Sequence, residues 1–114
     1  MFDQLKQLSQ LGPLMAQARD MQAKMAQVQA RLPALRGTGD AGGGLVTAVA
    51  SGTLEIVELK YAPQAMRTDP ELLADLTRAA VNQALHTVQD LVQREMQEAA
   101  GGLDLGAMRG LLGG

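Results

Sequence analysis

Leu45-Val46-Thr47-Ala48-Val49-Ala50-Ser51-Gly52-Thr53-Leu54-Glu55-Ile56-Val57-Glu58-Leu59-Lys60 is the stretch on which the fold turns. Two short apolar runs flank one Ser-Gly dipeptide. They read as a β-hairpin with Ser51-Gly52 at a two-residue turn. In the second run, alternation points Leu54, Ile56 and Leu59 inward and leaves Glu55 and Glu58 outside. A lone hairpin is unstable in water unless its apolar face is covered. The cover has to come from the flanks, and both flanks have helical patterns.

Upstream lies Gly37-Thr38-Gly39-Asp40-Ala41-Gly42-Gly43-Gly44. Its first six residues fit G-x-G-x-x-G in letters. A dinucleotide site needs a strand before that motif and a helix after it. Here the order is reversed, and no Lys-Ser or Lys-Thr follows the glycines. The segment is therefore expected to be a tight flexible turn, with a third strand around Ala34–Thr38 beside it. Before that, Leu14, Ala18, Met21, Met25, Val28, Leu32 and Leu35 recur at alternating intervals of four and three residues. This is a heptad seam on a helix. Pro33 ends that helix near Arg31. Gly12-Pro13 is expected to interrupt it at the other end, giving a helix over 13–32 and a separate turn or frayed short helix over 2–11.

Downstream, Thr68-Asp69-Pro70-Glu71 is a helix start, with Asp69 as N-cap, Pro70 in the first helical position and Glu71 in the first turn. Leu73, Leu76, Ala80, Ala84, Val88 and Leu91 line one face, and Ala99-Ala100-Gly101-Gly102 closes the helix. The order is helix, hairpin with a third strand, helix: an α+β chain with one domain over 1–100. The Gly/Leu-rich tail, 101–114, is expected to be flexible, with Leu103, Leu105, Met108, Leu111 and Leu112 available for docking. The first helix carries more seam than a small sheet can cover, which points to a second copy of the chain. Met21 and Met25 on the seam, and Leu45, Val46 and Val49 on the first hairpin strand, are the candidate dimer contacts.

Composition excludes much chemistry. The 114 residues include no Cys, no Trp, one His, one Tyr and one Phe. Disulfides, thiolate metal sites and thiol nucleophiles are absent. His86 has no second His or Cys to join it, and Asp69, Glu71 and Asp75 are accounted for by the helix start. No enzyme activity, cofactor, metal or small-molecule substrate is expected. Two aromatic residues do not make a base-stacking platform. No run of 18 apolar residues suits a membrane span, and the N-terminus lacks the pattern of a secretory signal. A cytoplasmic protein is the expectation.

The net charge of −2 is divided unevenly. Residues 1–36 hold five basic and two acidic groups, or +3; residues 37–114 hold five basic and ten acidic groups, or −5. Lys24 and Arg31 are seven apart and share one edge of the first helix. Arg19 is on the same helix, Arg36 follows its end, and Arg94 adds charge on the second long helix.

The run from Pro13 to Gln29, with its Met, Gln, Ala and Lys, resembles the first helix of the YbaB/EbfC family. The resemblance continues through Thr38-Gly39-Asp40-Ala41-Gly42-Gly43-Gly44-Leu45-Val46, Gly52, Leu72-Leu73-Ala74-Asp75-Leu76 and Ala79-Ala80-Val81-Asn82-Gln83-Ala84, covering roughly 5–100. It implies a bacterial nucleoid-associated protein with two long helices and a three-stranded antiparallel sheet, the third strand lying at Ala34–Asp40. It also implies a tweezers-like homodimer that binds duplex DNA with its projecting helices. Lys24 matches a family lysine; Arg19 and Arg31 share its helix. The chain departs from the family in having Lys60-Tyr61-Ala62-Pro63 where an Asp-Pro is common, and in a tail that is not basic.

The expected function is therefore binding of duplex DNA with little sequence preference, by a homodimer associated with the nucleoid. Arg19, Lys24, Arg31, Arg36 and Arg94 are the candidate phosphate contacts. No base-reading helix is visible. The alternative is an adaptor that holds a protein partner on the seam and the tail.

Overall fold

The computed structural model describes residues 2–102. Its elements are α1 (Phe2–Arg31), a 3-10 turn (Leu32–Ala34), β1 (Arg36–Ala41), β2 (Val46–Ser51), β3 (Ile56–Tyr61), a second 3-10 turn (Pro63–Arg67), α2 (Pro70–Ala99) and a last 3-10 turn (Ala100–Gly102). The three strands form one antiparallel sheet in the order β1-β2-β3. The chain divides into two compact units, Ala30–Glu95 and a second made of Met1–Gln29 with Met96–Gly114. The expected tail lies, from Leu103 onward, outside the described residues.

In the first unit, α2 lies across one face of the sheet. Val46, Ala48 and Ala50 of β2 and Ala80, Ala84 and Val88 of α2 are all fully buried and form the core. The small side chains let helix and strands approach closely. β1 takes this furthest, because its inward positions are Gly37 and Gly39. A Cβ on Gly39 would collide with the backbone of Ala80 and Ala84 and lie 2.9 Å from the Gln83 Cβ; one on Gly37 would collide with the Val88 backbone. Gln83 also accepts a hydrogen bond from the Asp40 amide at 2.9 Å, tying β1 to α2. This corrects the expectation of a turn at Gly37. The glycines make a strand that fits under a helix, and the turn begins only at Gly42.

The hairpin differs from its expected form in two ways. Its loop is longer than Ser51-Gly52: the Ser51 amide donates to the Glu55 carbonyl at 2.8 Å, and the Leu54 amide donates to the Ser51 carbonyl at 2.9 Å. Leu54 closes this three-residue loop in the left-handed conformation, φ 65°, where such loops usually place glycine. Gly52 has its own constraint, since a Cβ there would lie 3.0 Å from the Leu32 Cα. The second difference is burial. Leu54, Ile56 and Leu59 were expected inside, yet they are 50%, 38% and 41% exposed. The sheet register explains this. Leu59 pairs with Ala48 and Tyr61 with Val46, so they share the covered face, but β3 is an edge strand and α2 is seated over β1 and β2. Tyr61 does reach the helix, donating its hydroxyl hydrogen to Thr77 Oγ1 at 3.0 Å, while Thr77 donates its own to the Leu73 carbonyl.

α2 starts as its sequence predicts. The Asp69 carbonyl accepts the Leu73 amide at 2.8 Å, Pro70 is the first helical residue and Glu71 is in the first turn. α1 ends at Arg31, as expected from Pro33. Its beginning is a correction: one continuous helix runs from Phe2 through Pro13. Proline's φ is already helical, although an interior proline gives up one hydrogen bond and crowds the carbonyl four residues back. Part of the steric clash that a proline imposes on the preceding residue involves that residue's Cβ, and Gly12 has none. Along α1 the heptad seam changes character. Leu14 and Ala18 are exposed, Met21 and Met25 half-buried, and Val28 buried.

Candidate nucleic-acid interface

The five candidate basic residues fall into three situations. Arg19 and Arg94 are exposed, and among the described residues neither has a carboxylate within ion-pair distance. Lys24 Nζ lies 3.2 Å from Asp20 Oδ2, one helical turn back. Arg31 Nη2 lies 2.6 Å from Glu95 Oε2, with the guanidinium side chain 59% exposed and the carboxylate 19%. The Lys24 pair is open to water and worth about 1 kcal/mol or less, and the Arg31 guanidinium is the exposed side of its pair, so a phosphate can compete for either cation. Arg36 is spent locally: its Nη1 donates to the Pro33 carbonyl at 2.6 Å and the Leu35 carbonyl at 3.0 Å.

The first unit brings three of these residues to one end. The Arg31–Glu95 contact sets the end of α1 against α2 beside Arg94. The packing of Gly37 on Val88 sets Arg36 along the same stretch of α2. Arg19 and Lys24 belong to the other unit. One cation escaped notice in the sequence. Arg67, in the turn between β3 and α2, is exposed and, among the described residues, also lacks a carboxylate partner. An isolated Arg outside a periodic element gives no pattern to find.

The candidate dimer contacts are also dispersed. Val46 is fully buried in the core of its own chain, and Leu45 packs partly against that core. Val49 is half-buried on the opposite sheet face, between Thr38 and Glu58. The surface that the sequence did not single out is β3, every residue of which is exposed, with Val57 at 48% and Tyr61 at 38%. A half-apolar edge strand with free backbone groups is a template for pairing. Among the described residues, no group of three or more His, Asp or Glu could hold a metal ion, and no helix is long and apolar enough to cross a membrane.

A helix, a three-stranded meander and a second helix, with exposed cations spaced along both helices, define the class: a small α+β protein with charged helical surfaces. The chain belongs to the YbaB/EbfC DNA-binding family, whose model matches residues 6–103. It is 42% identical over 92 residues to a nucleoid-associated protein of Chlorobaculum parvum, covering 81% of this chain and 82% of that one. It is 42% identical over 96 residues to a nucleoid-associated protein of Desulfotalea psychrophila, covering 83% and 91%. The fold matches the crystal structure of an uncharacterized protein, HP0035, from Helicobacter pylori, with a TM-score of 0.58 at 24% identity over 75% of this chain and 88% of that one.

Proposed function

We propose that this chain is a nucleoid-associated protein that binds duplex DNA as a homodimer, with little sequence preference, in the cytoplasm. The observation that carries this is the state of its helical cations. Arg19 and Arg94 are unpaired among the described residues, and Lys24 and Arg31 are held only by surface ion pairs. Such groups neutralise phosphates and release counterions, which supplies affinity without reading bases. Family membership and the names of the relatives favour DNA as the ligand. The second copy is supported by the exposed β3 edge and by a thin core of Val and Ala. It doubles the number of cations facing one duplex, which raises the local field.

The test is a salt titration on random-sequence duplex DNA. With about four phosphates neutralised, log K should fall against log salt with a slope of roughly −3 to −4. The triple variant Arg19→Gln, Lys24→Gln, Arg94→Gln removes three cations from each chain of the dimer, so it should bind less tightly and with a markedly shallower slope. Light scattering should give twice the 12.0 kDa chain mass. An unchanged slope would remove these residues from the interface, and a monomer mass at micromolar concentration would remove the dimer.

A further inference from the structure

The N-terminal half of α1 has a surface that DNA binding leaves unexplained. Leu5, Leu8, Leu11, Leu14 and Met15 are 62%, 63%, 49%, 59% and 56% exposed. Leu8, Leu11 and Met15, at i, i+3 and i+7, make the centre of one face, with Leu5 and Leu14 on its flanks. From Gln7 to Ala18 the chain has no charged residue at all. Twelve uncharged residues cannot neutralise phosphate, and the large apolar side chains among them are left in open water. A stripe of this kind marks an interaction surface.

We propose that the chain's own C-terminal segment, residues 103–114, covers this stripe. Three observations select that occupant. First, α2 and the short turn after it end at Gly102, in the compact unit that also holds α1 up to Gln29. Second, the segment is long enough: twelve residues can span up to about 40 Å, whereas Leu5 to Met15 covers about 15 Å of helix. Third, the chemistry matches. The segment holds Leu105, Met108 and Leu112 at the same i, i+3, i+7 spacing and only two charges, Asp104 and Arg109. An uncharged apolar stripe and a nearly uncharged apolar segment bury each other without stranding ionic groups. This contact is independent of DNA binding, and its failure would leave the phosphate-binding residues untouched.

The chain has no Cys, so one introduced thiol can be labelled cleanly. A nitroxide on Gly114→Cys in the 114-residue chain should broaden the amide signals of residues 5–15 and spare those of Arg36–Ala41. A mixture of tagged unlabelled chains with untagged isotope-labelled chains should show no broadening. Removing residues 103–114 should raise the fluorescence of bound anilinonaphthalene sulfonate. The proposal is overturned by an even loss of signal, by equal broadening in the mixture, or by unchanged dye fluorescence on truncation. A nitroxide on Leu8→Cys that broadens residues 5–15 of an untagged chain would place a second copy on the stripe instead, and would also overturn it.

Discussion

The contact of β1 with α2 makes Gly39→Ala the most informative single substitution. The added Cβ would collide with the Ala80 and Ala84 backbone and sit 2.9 Å from the Gln83 Cβ. Backbone cannot rotate aside as a flexible side chain can, so the strand and the helix must separate. Overpacking a tight core costs about 1–3 kcal/mol, and the rigidity of these neighbours puts this site at the upper end. Separation also stretches the 2.9 Å hydrogen bond from the Asp40 amide to Gln83 Oε1, worth about 1 kcal/mol. The expected loss is therefore about 3–4 kcal/mol, a large share of the roughly 5–15 kcal/mol that holds a domain together. In a thermal melt each kcal/mol moves a chain of this size by about 4 °C, so Tm should fall by well over 10 °C. The melt should be followed by circular dichroism at fixed protomer concentration, because a dimer's stability depends on it. Gly101→Ala is the control: nothing lies within 4 Å of its Cβ position, and stability should stay within about 0.5 kcal/mol. If Gly39→Ala unfolds within about 1 kcal/mol of the parent by the same melt, the close packing of β1 under α2 is wrong.

Two further substitutions probe the site and the hairpin. Glu95→Gln removes the carboxylate that holds Arg31 at 2.6 Å. With the Arg31 side of the pair exposed, its release is worth about 1 kcal/mol, so affinity for duplex DNA should rise by up to roughly five-fold at low salt; an unchanged or weaker mobility shift would show that Arg31 makes no phosphate contact. Leu54→Asn relieves a leucine held at φ 65° and 50% exposed. Asn tolerates the left-handed region, so urea denaturation should show a gain of about 0.5 kcal/mol. A loss of stability would mean that the Leu54 side chain makes a contact worth more than the strain.

Packing under α2 also explains how the sheet avoids large side chains. β1 supplies glycines, β2 supplies Val46, Ala48 and Ala50, and the helix answers with Ala80, Ala84 and Val88. This core binds backbones at short range but buries little apolar area. Among the described residues, the exposed large apolar side chains include those of β3 and of the uncharged half of α1. The covers proposed for these surfaces are a second copy and the C-terminal segment.

Local signals in the sequence determined the element order. The Asp69-Pro70-Glu71 start, the Pro33 stop and the period of Leu73, Leu76, Ala80, Ala84 and Val88 are set by nearby residues, and all were legible. So was the family, from an ordered set of short matches. Three outcomes depended on what lies across space. Gly37 and Gly39 read as a turn because glycine is locally permissive, and only the helix above them shows why they are a strand. Leu54, Ile56 and Leu59 alternate like core residues, but burial is decided by where α2 is seated, and it is seated over β1 and β2. Arg31 and Arg94 look alike in the sequence. Glu95, sixty-four residues from Arg31 and next to Arg94, pairs with Arg31. Periodicity is a property of the chain, whereas coverage and charge pairing arise when distant segments meet, and those decided which surfaces of this protein are free to bind.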